Sequence, residues 1–101
     1  MPNFDVSTKD IKDYLQTLEP DEVCGTCGKP GYCLVANALT HKYKGVPFYV
    51  RLEAAETLAG FECTFSLPKG VQEVVRIFDC IGSYGQPIPR EKAEQELKEI
   101  I

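Results

Sequence analysis

The residues best suited to do chemistry in this chain are its cysteines. Three of the five lie within ten positions, as a C-x-x-C pair at Cys24 and Cys27 followed by Cys33. Thiolates bind metals and attack electrophiles, and a C-x-x-C turn can present two of them to one zinc ion. The spacing therefore predicts a candidate metal site at Cys24, Cys27 and Cys33, with zinc as the candidate cofactor.

The segment "CGTCGKPG" resembles the knuckle of zinc-ribbon proteins over its eight residues. A ribbon needs a second cysteine pair, and the sequence has no other C-x-x-C. The only histidine, His41, lies eight residues beyond Cys33. Eight residues of helix span about 12 Å, whereas the ligands of one zinc ion lie within roughly 4 Å of each other. We therefore do not expect His41 to join Cys33, and the fourth ligand stays open.

Two further chemistries are open to these thiols. Cys24 and Cys27 could form a redox dithiol, but in thioredoxin-like proteins such a pair follows a buried strand and opens a helix. Here "GKPG" follows the pair. Cys33 could act as a nucleophile, because the first turn of a helix favours an anion. His41 is again too far away to serve as its base.

A purely structural interpretation treats the cysteines as small packing residues of a tight glycine- and proline-rich loop from Asp21 to Gly31. This interpretation requires no reaction and no cofactor. No residue is predicted to be catalytic. Among these interpretations of the cysteines, we favour one in which the protein is not an enzyme.

Helical and strand periodicities surround this loop. Apolar residues recur with helical spacing in four segments and alternate in two others. Four helices are predicted: 8–18, 32–43 with Tyr32 on its buried face, a third with Val71 and Phe78 on its apolar stripe that closes at Gly82, and one starting near Pro89. The predicted strands are 46–53 and 61–67. Residues 54–60 are ambiguous between a loop, a helical turn and a third strand, and "IGSYGQPIP" with Tyr84 reads as a connector.

This order predicts one α+β domain over residues 1–101. We expect a small antiparallel sheet of two to three strands, with about four helices packed on one of its faces. Because two strands alone are marginal in water, a third strand is expected from the N-terminal residues, from 54–59, or from a second copy in a homodimer.

Composition narrows the function classes. The net charge is −4 and the basic residues are scattered, so nucleic acid is not expected as a partner. No apolar run reaches the roughly 18 residues of a membrane span. The first ten residues lack the pattern of a secretory signal, so we expect a cytoplasmic protein with reduced thiols. The prediction is a binding or interaction module for a protein partner or a second copy, with the polar sheet face around Tyr49 and Arg51 as one candidate surface.

Overall fold

The computed structural model describes residues 4–57 and 64–101. Within them, four helices and five short strands follow one another along the chain. Their bounds are α1 Thr8–Gln16, β1 Val23–Thr26, α2 Leu34–Lys42, β2 Phe48–Val50, β3 Ala54–Thr57, β4 Thr64–Ser66, α3 Lys69–Asp79, β5 Pro87–Pro89 and α4 Arg90–Leu97. The described residues thus confirm the α+β class, with two small antiparallel sheets instead of one.

Helix α1 begins at Thr8, directly after its N-cap residue Ser7. The Ser7 hydroxyl accepts a hydrogen bond from the Asp10 amide, and the Asp10 carboxylate accepts one from the Ser7 amide. This capping box satisfies two backbone donors that the first turn leaves without intrahelical partners. Ile11 and Leu15 are buried on the predicted apolar face.

The three-stranded sheet has the order β2-β3-β4, and both pairings are antiparallel. The ambiguous segment supplies its central strand, β3, over residues 54–57. The predicted strand 46–53 is too long at both ends. Strand β2 ends at Val50, and Leu52 lies in the turn with half of its surface exposed. The predicted strand residues Phe61, Glu62 and Cys63 lie outside the described residues.

The second sheet pairs β1 with β5 and was not predicted. Strand β1 contains Cys24 and ends at Thr26, just before Cys27, so part of the expected loop from Asp21 to Gly31 is a strand. The register shifts between Val23 and Gly25, which marks a bulge. Glycine and proline weaken the strand signal in both segments, and the strands lie about sixty residues apart in sequence.

One cluster of buried side chains joins the helices to both sheets. Helix α2 is central to it and packs on β1 and β2 as well as on α1 and α3. Helix α3 buries the predicted apolar stripe, namely Val71, Val74, Val75 and Phe78. None of the helices in the described part of the chain is long and apolar enough to cross a membrane.

Candidate functional site

The cysteine segment is part of the core. Cys24, Cys27 and Cys33 expose 0%, 1% and 4% of their surfaces. Gly25 brings β1 against the start of α2, where a Cβ atom would lie 2.6 Å from the Leu34 amide nitrogen and 2.9 Å from the Cys33 carbonyl carbon. A side chain does not fit at that position without moving backbone. The C-x-x-C segment is therefore a strand pressed against a helix N-terminus.

The thiols contact different parts of this core. The Cys27 Sγ donates a hydrogen bond to the Phe78 carbonyl oxygen at 3.2 Å, near the end of α3. The Cys33 Sγ lies 3.9 Å from the Pro30 carbonyl oxygen. The backbone of Cys24 is tied to α2, because the Asn37 side-chain amide donates to its carbonyl oxygen at 3.0 Å.

Burial makes these thiols weak acids. It raises the pKa of Cys24 to about 12 and that of Cys33 to about 11, and it also raises the pKa of Cys27. At Cys33, hydrogen bonds from the Ala36 and Val35 amides oppose this effect but do not outweigh it. At Cys33, desolvation thus outweighs the effect of the helix N-terminus on the pKa.

No three His, Cys, Asp or Glu side chains form a group suited to a metal ion within residues 4–57 and 64–101. Helix α2 runs unbroken from Leu34 to Lys42, so His41 is kept away from Cys33 as expected. His41 is exposed, with its ring 5.5 Å from the Tyr14 ring. The zinc site at Cys24, Cys27 and Cys33 stays a prediction.

A second feature lies on the surface beside the cysteine segment. A groove of about 360 Å³ is lined mostly by tyrosines and prolines. The lining residues are Lys29, Pro30, Gly31, Tyr32, Pro47, Phe48, Tyr49 and Tyr84. Tyr32 is 66% exposed and Tyr84 is 81% exposed. We call this surface the tyrosine groove.

The Tyr84 ring lies directly against Gly28. A Cβ atom at Gly28 would lie 2.7 Å from the Tyr84 Cδ2, so the tyrosine ring occupies the space that a side chain would need. Gly28 has a φ of +75°, a conformation that favours glycine. The Gly85 amide donates to the Cys27 carbonyl oxygen at 2.8 Å. The Tyr84 ring is therefore exposed and lies against Gly28, and the backbone beside it is held by a hydrogen bond.

Tyr32 is also fixed through its backbone. Its amide donates to the Lys29 carbonyl oxygen at 3.0 Å, and its own carbonyl accepts from the Thr26 amide at 2.8 Å. The Asn37 side-chain amide donates to the same carbonyl at 3.3 Å. The expectation that Tyr32 lies on the buried face of α2 is wrong, because the helix begins only at Leu34.

Tyr49 joins the tyrosine groove to the outer face of the three-stranded sheet. The Arg51 guanidinium lies 5.6 Å from the centre of the Tyr49 ring and 3.7 Å from the Glu56 carboxylate. A smaller hollow of about 180 Å³ continues over this face past Ala54 and Thr64. The polar sheet face that the sequence indicated as a candidate interaction surface is thus one end of a longer surface.

Sequence reasoning missed the groove. The signal for it was a tyrosine next to glycine in "GKPGY" and in "GSYG", two segments that each place a tyrosine in a turn. Nothing in the sequence indicates that these two turns meet. Compared with protein-family models, curated proteins and solved structures, the chain matches none.

Proposed function

We propose that this protein is a small cytoplasmic binding module that takes a peptide segment of a partner protein in the tyrosine groove. The cysteine segment is the structural support of that groove. The observation that carries the proposal is the pair Tyr32 and Tyr84, both mostly exposed and both held by hydrogen-bonded backbone.

Tyrosine is suited to this role for physical reasons. Its ring offers a large apolar contact area with only two rotatable side-chain bonds, so little conformational entropy is lost on binding. Aromatic residues are enriched at protein interfaces and among the residues that dominate binding energy. Backbone that is already held before binding reduces the ordering cost further.

The buried thiols support a structural role over a reactive one. A nucleophilic or redox-active cysteine needs an accessible thiolate near neutral pH. Cys24, Cys27 and Cys33 are instead buried, with their pKa values raised. Each thiol is surrounded by core atoms that hold β1, α2 and α3 together.

Self-association is a second candidate, favoured by one strand edge. Strand β4 ends the sheet order β2-β3-β4, and Thr64 and Ser66 on it are exposed. An unpaired strand edge is a template for another chain. Sedimentation equilibrium over a wide concentration range tests this, because Ser66→Lys should then weaken a dimer. A wild-type protein that stays monomeric throughout would contradict it.

The test of the proposed function is selection from a random peptide library displayed on phage. The wild-type protein is the target, and the Tyr32→Ala/Tyr84→Ala double variant removes peptides that bind elsewhere. Leu52→Ala is the matched control, because Leu52 is half exposed but does not line the groove. We expect selected peptides to bind the double variant at least tenfold more weakly, as for interface hot spots.

Leu52→Ala should leave their binding unchanged. Circular dichroism and thermal melting establish that the double variant is folded, which its exposed positions predict. If no peptide is enriched on the wild type over the double variant, the groove is not a peptide-binding site and the proposal fails.

A further inference from the structure

The backbone around the tyrosine groove restricts how a peptide can dock. The Val50 amide of β2 donates to the Pro30 carbonyl oxygen at 2.9 Å, so this strand edge is already occupied there. Pro30 and Pro47 have no amide hydrogen to donate. A peptide that adds to a sheet needs a row of free backbone groups. At Val50, Pro30 and Pro47 that row is interrupted, which favours recognition through side-chain contacts over strand addition.

The lining chemistry indicates which side chains fit. An amphipathic helix binds through aliphatic anchors in a hydrophobic groove, whereas here tyrosines and prolines dominate the lining. Aromatic-lined grooves are the docking sites for proline-rich segments in the polyproline II conformation. That conformation has no internal hydrogen bonds and is preformed in solution, so it needs no strand edge and loses little entropy.

Charge narrows the partner further. Lys29 is the only charged residue among the groove-lining positions, and it is exposed. No carboxylate in the described part of the chain forms an ion pair with it. The Asp79 carboxylate accepts a hydrogen bond from the neighbouring Gly28 amide at 3.3 Å. Lys29 disfavours a cationic group of a ligand at its own position, which an aromatic cage would otherwise attract. An acidic residue is favoured there.

We propose that the tyrosine groove binds a proline-rich peptide in the polyproline II conformation, with an acidic residue of the peptide paired to Lys29. This inference rests on the proposed function and names the class of partner. Tyr32 and Tyr84 contact the proline rings, and Lys29 selects the flanking charge.

Isothermal titration with three synthetic peptides of equal length tests the inference. The first has six prolines flanked at both ends by glutamate. The second has the same prolines flanked by lysine, and the third has glutamates flanking six alternating glycines and serines. We expect the first to bind with a Kd below about 1 mM, the second several-fold more weakly, and the third at least tenfold more weakly.

Lys29→Glu should reverse the preference between the glutamate- and lysine-flanked peptides. Lys12→Glu is its control, because it makes the same change of charge on the exposed face of α1. Tyr84→Ala should reduce binding of the first peptide at least tenfold, and Tyr84→Phe, which keeps the ring, should retain most of it.

The outcomes separate the inference from the proposed function. Equal binding of the proline and glycine–serine peptides overturns the inference. The inference is also overturned if the selected library peptides contain no proline and bind in a way that depends on Tyr84. In that case the groove is still a peptide-binding site. If neither synthetic nor selected peptides bind through Tyr84, both proposals fail.

Discussion

Replacing Gly25 by alanine tests the contact between β1 and α2 on which the groove depends. The added Cβ would lie 2.6 Å from the Leu34 nitrogen, and 2.9 Å from both the Cys33 carbonyl carbon and the Phe78 Cζ. The first two atoms belong to the backbone and cannot rotate away. The strand and the helix must therefore separate, which also strains the hydrogen bond from Asn37 to the Cys24 carbonyl.

The expected loss of stability combines three contributions. Overpacking of a well-packed core costs about 1–3 kcal/mol, and a weakened hydrogen bond adds about 0.5–1.5 kcal/mol. The lower entropy of the unfolded alanine chain offsets about 0.4–1 kcal/mol. We expect Gly25→Ala to lower the free energy of unfolding by about 2 kcal/mol, the centre of the range that these terms give. A domain typically has roughly 5–15 kcal/mol of stability.

Urea unfolding followed by circular dichroism measures this difference. Gly31→Ala is the matched control, because its Cβ would meet only the Phe48 carbonyl oxygen at an ordinary 4.0 Å. We expect the control to stay within about 0.5 kcal/mol of the wild type. A Gly25→Ala protein as stable as the control would refute the close approach of β1 to α2.

Further predictions concern the thiols and the acidic residues. Iodoacetamide at pH 7.5 should label the exposed Cys80 before the buried Cys24 and Cys33. The raised pKa values of Cys24 and Cys33 reduce their thiolate fractions roughly a hundredfold or more. Peptide mass spectrometry measures the order of labelling, and rapid labelling of Cys33 would contradict the prediction. Burial opposes ionisation of Asp10, but hydrogen bonds from Lys42 and Ser7 keep its pKa below 3.8. Its stabilisation is therefore complete above that pH and is lost as the pH falls through the lowered pKa. Asp10→Asn should lower the free energy of unfolding by about 0.3–1 kcal/mol at pH 6, and urea titrations should show the difference narrowing towards pH 2. A difference that does not depend on pH would contradict this. On the structural interpretation of the cysteines, EDTA should leave the thermal midpoint unchanged; a large drop would favour the zinc site.

The sequence was informative where neighbouring residues decide the structure. The spacing of Val71, Val74 and Phe78 predicts α3, and the alternation around Phe48 predicts β2, because each pattern reflects one buried face. The pairing of β1 with β5 could not be predicted in this way. It depends on contacts between segments far apart in sequence, both of them rich in residues that usually mark turns.

The same reason explains what was missed at the site. Tyr32 and Tyr84 lie in separate turns, and each alone reads as part of a helix or a connector. They meet only because the paired strands β1 and β5 bring the two turns together. The burial of Cys33 likewise depends on the neighbouring core and not on its place at the start of α2.

The five tyrosines allow the most direct test of the tyrosine groove. Tyr32, Tyr49 and Tyr84 line it, whereas Tyr14 and Tyr43 lie elsewhere and serve as internal controls. Protein with ¹³C-labelled tyrosine rings is titrated with a library-selected peptide and followed by NMR. The account predicts chemical-shift changes at the three groove tyrosines and none at the other two. Changes at Tyr14 or Tyr43 with the groove tyrosines unaffected would contradict it.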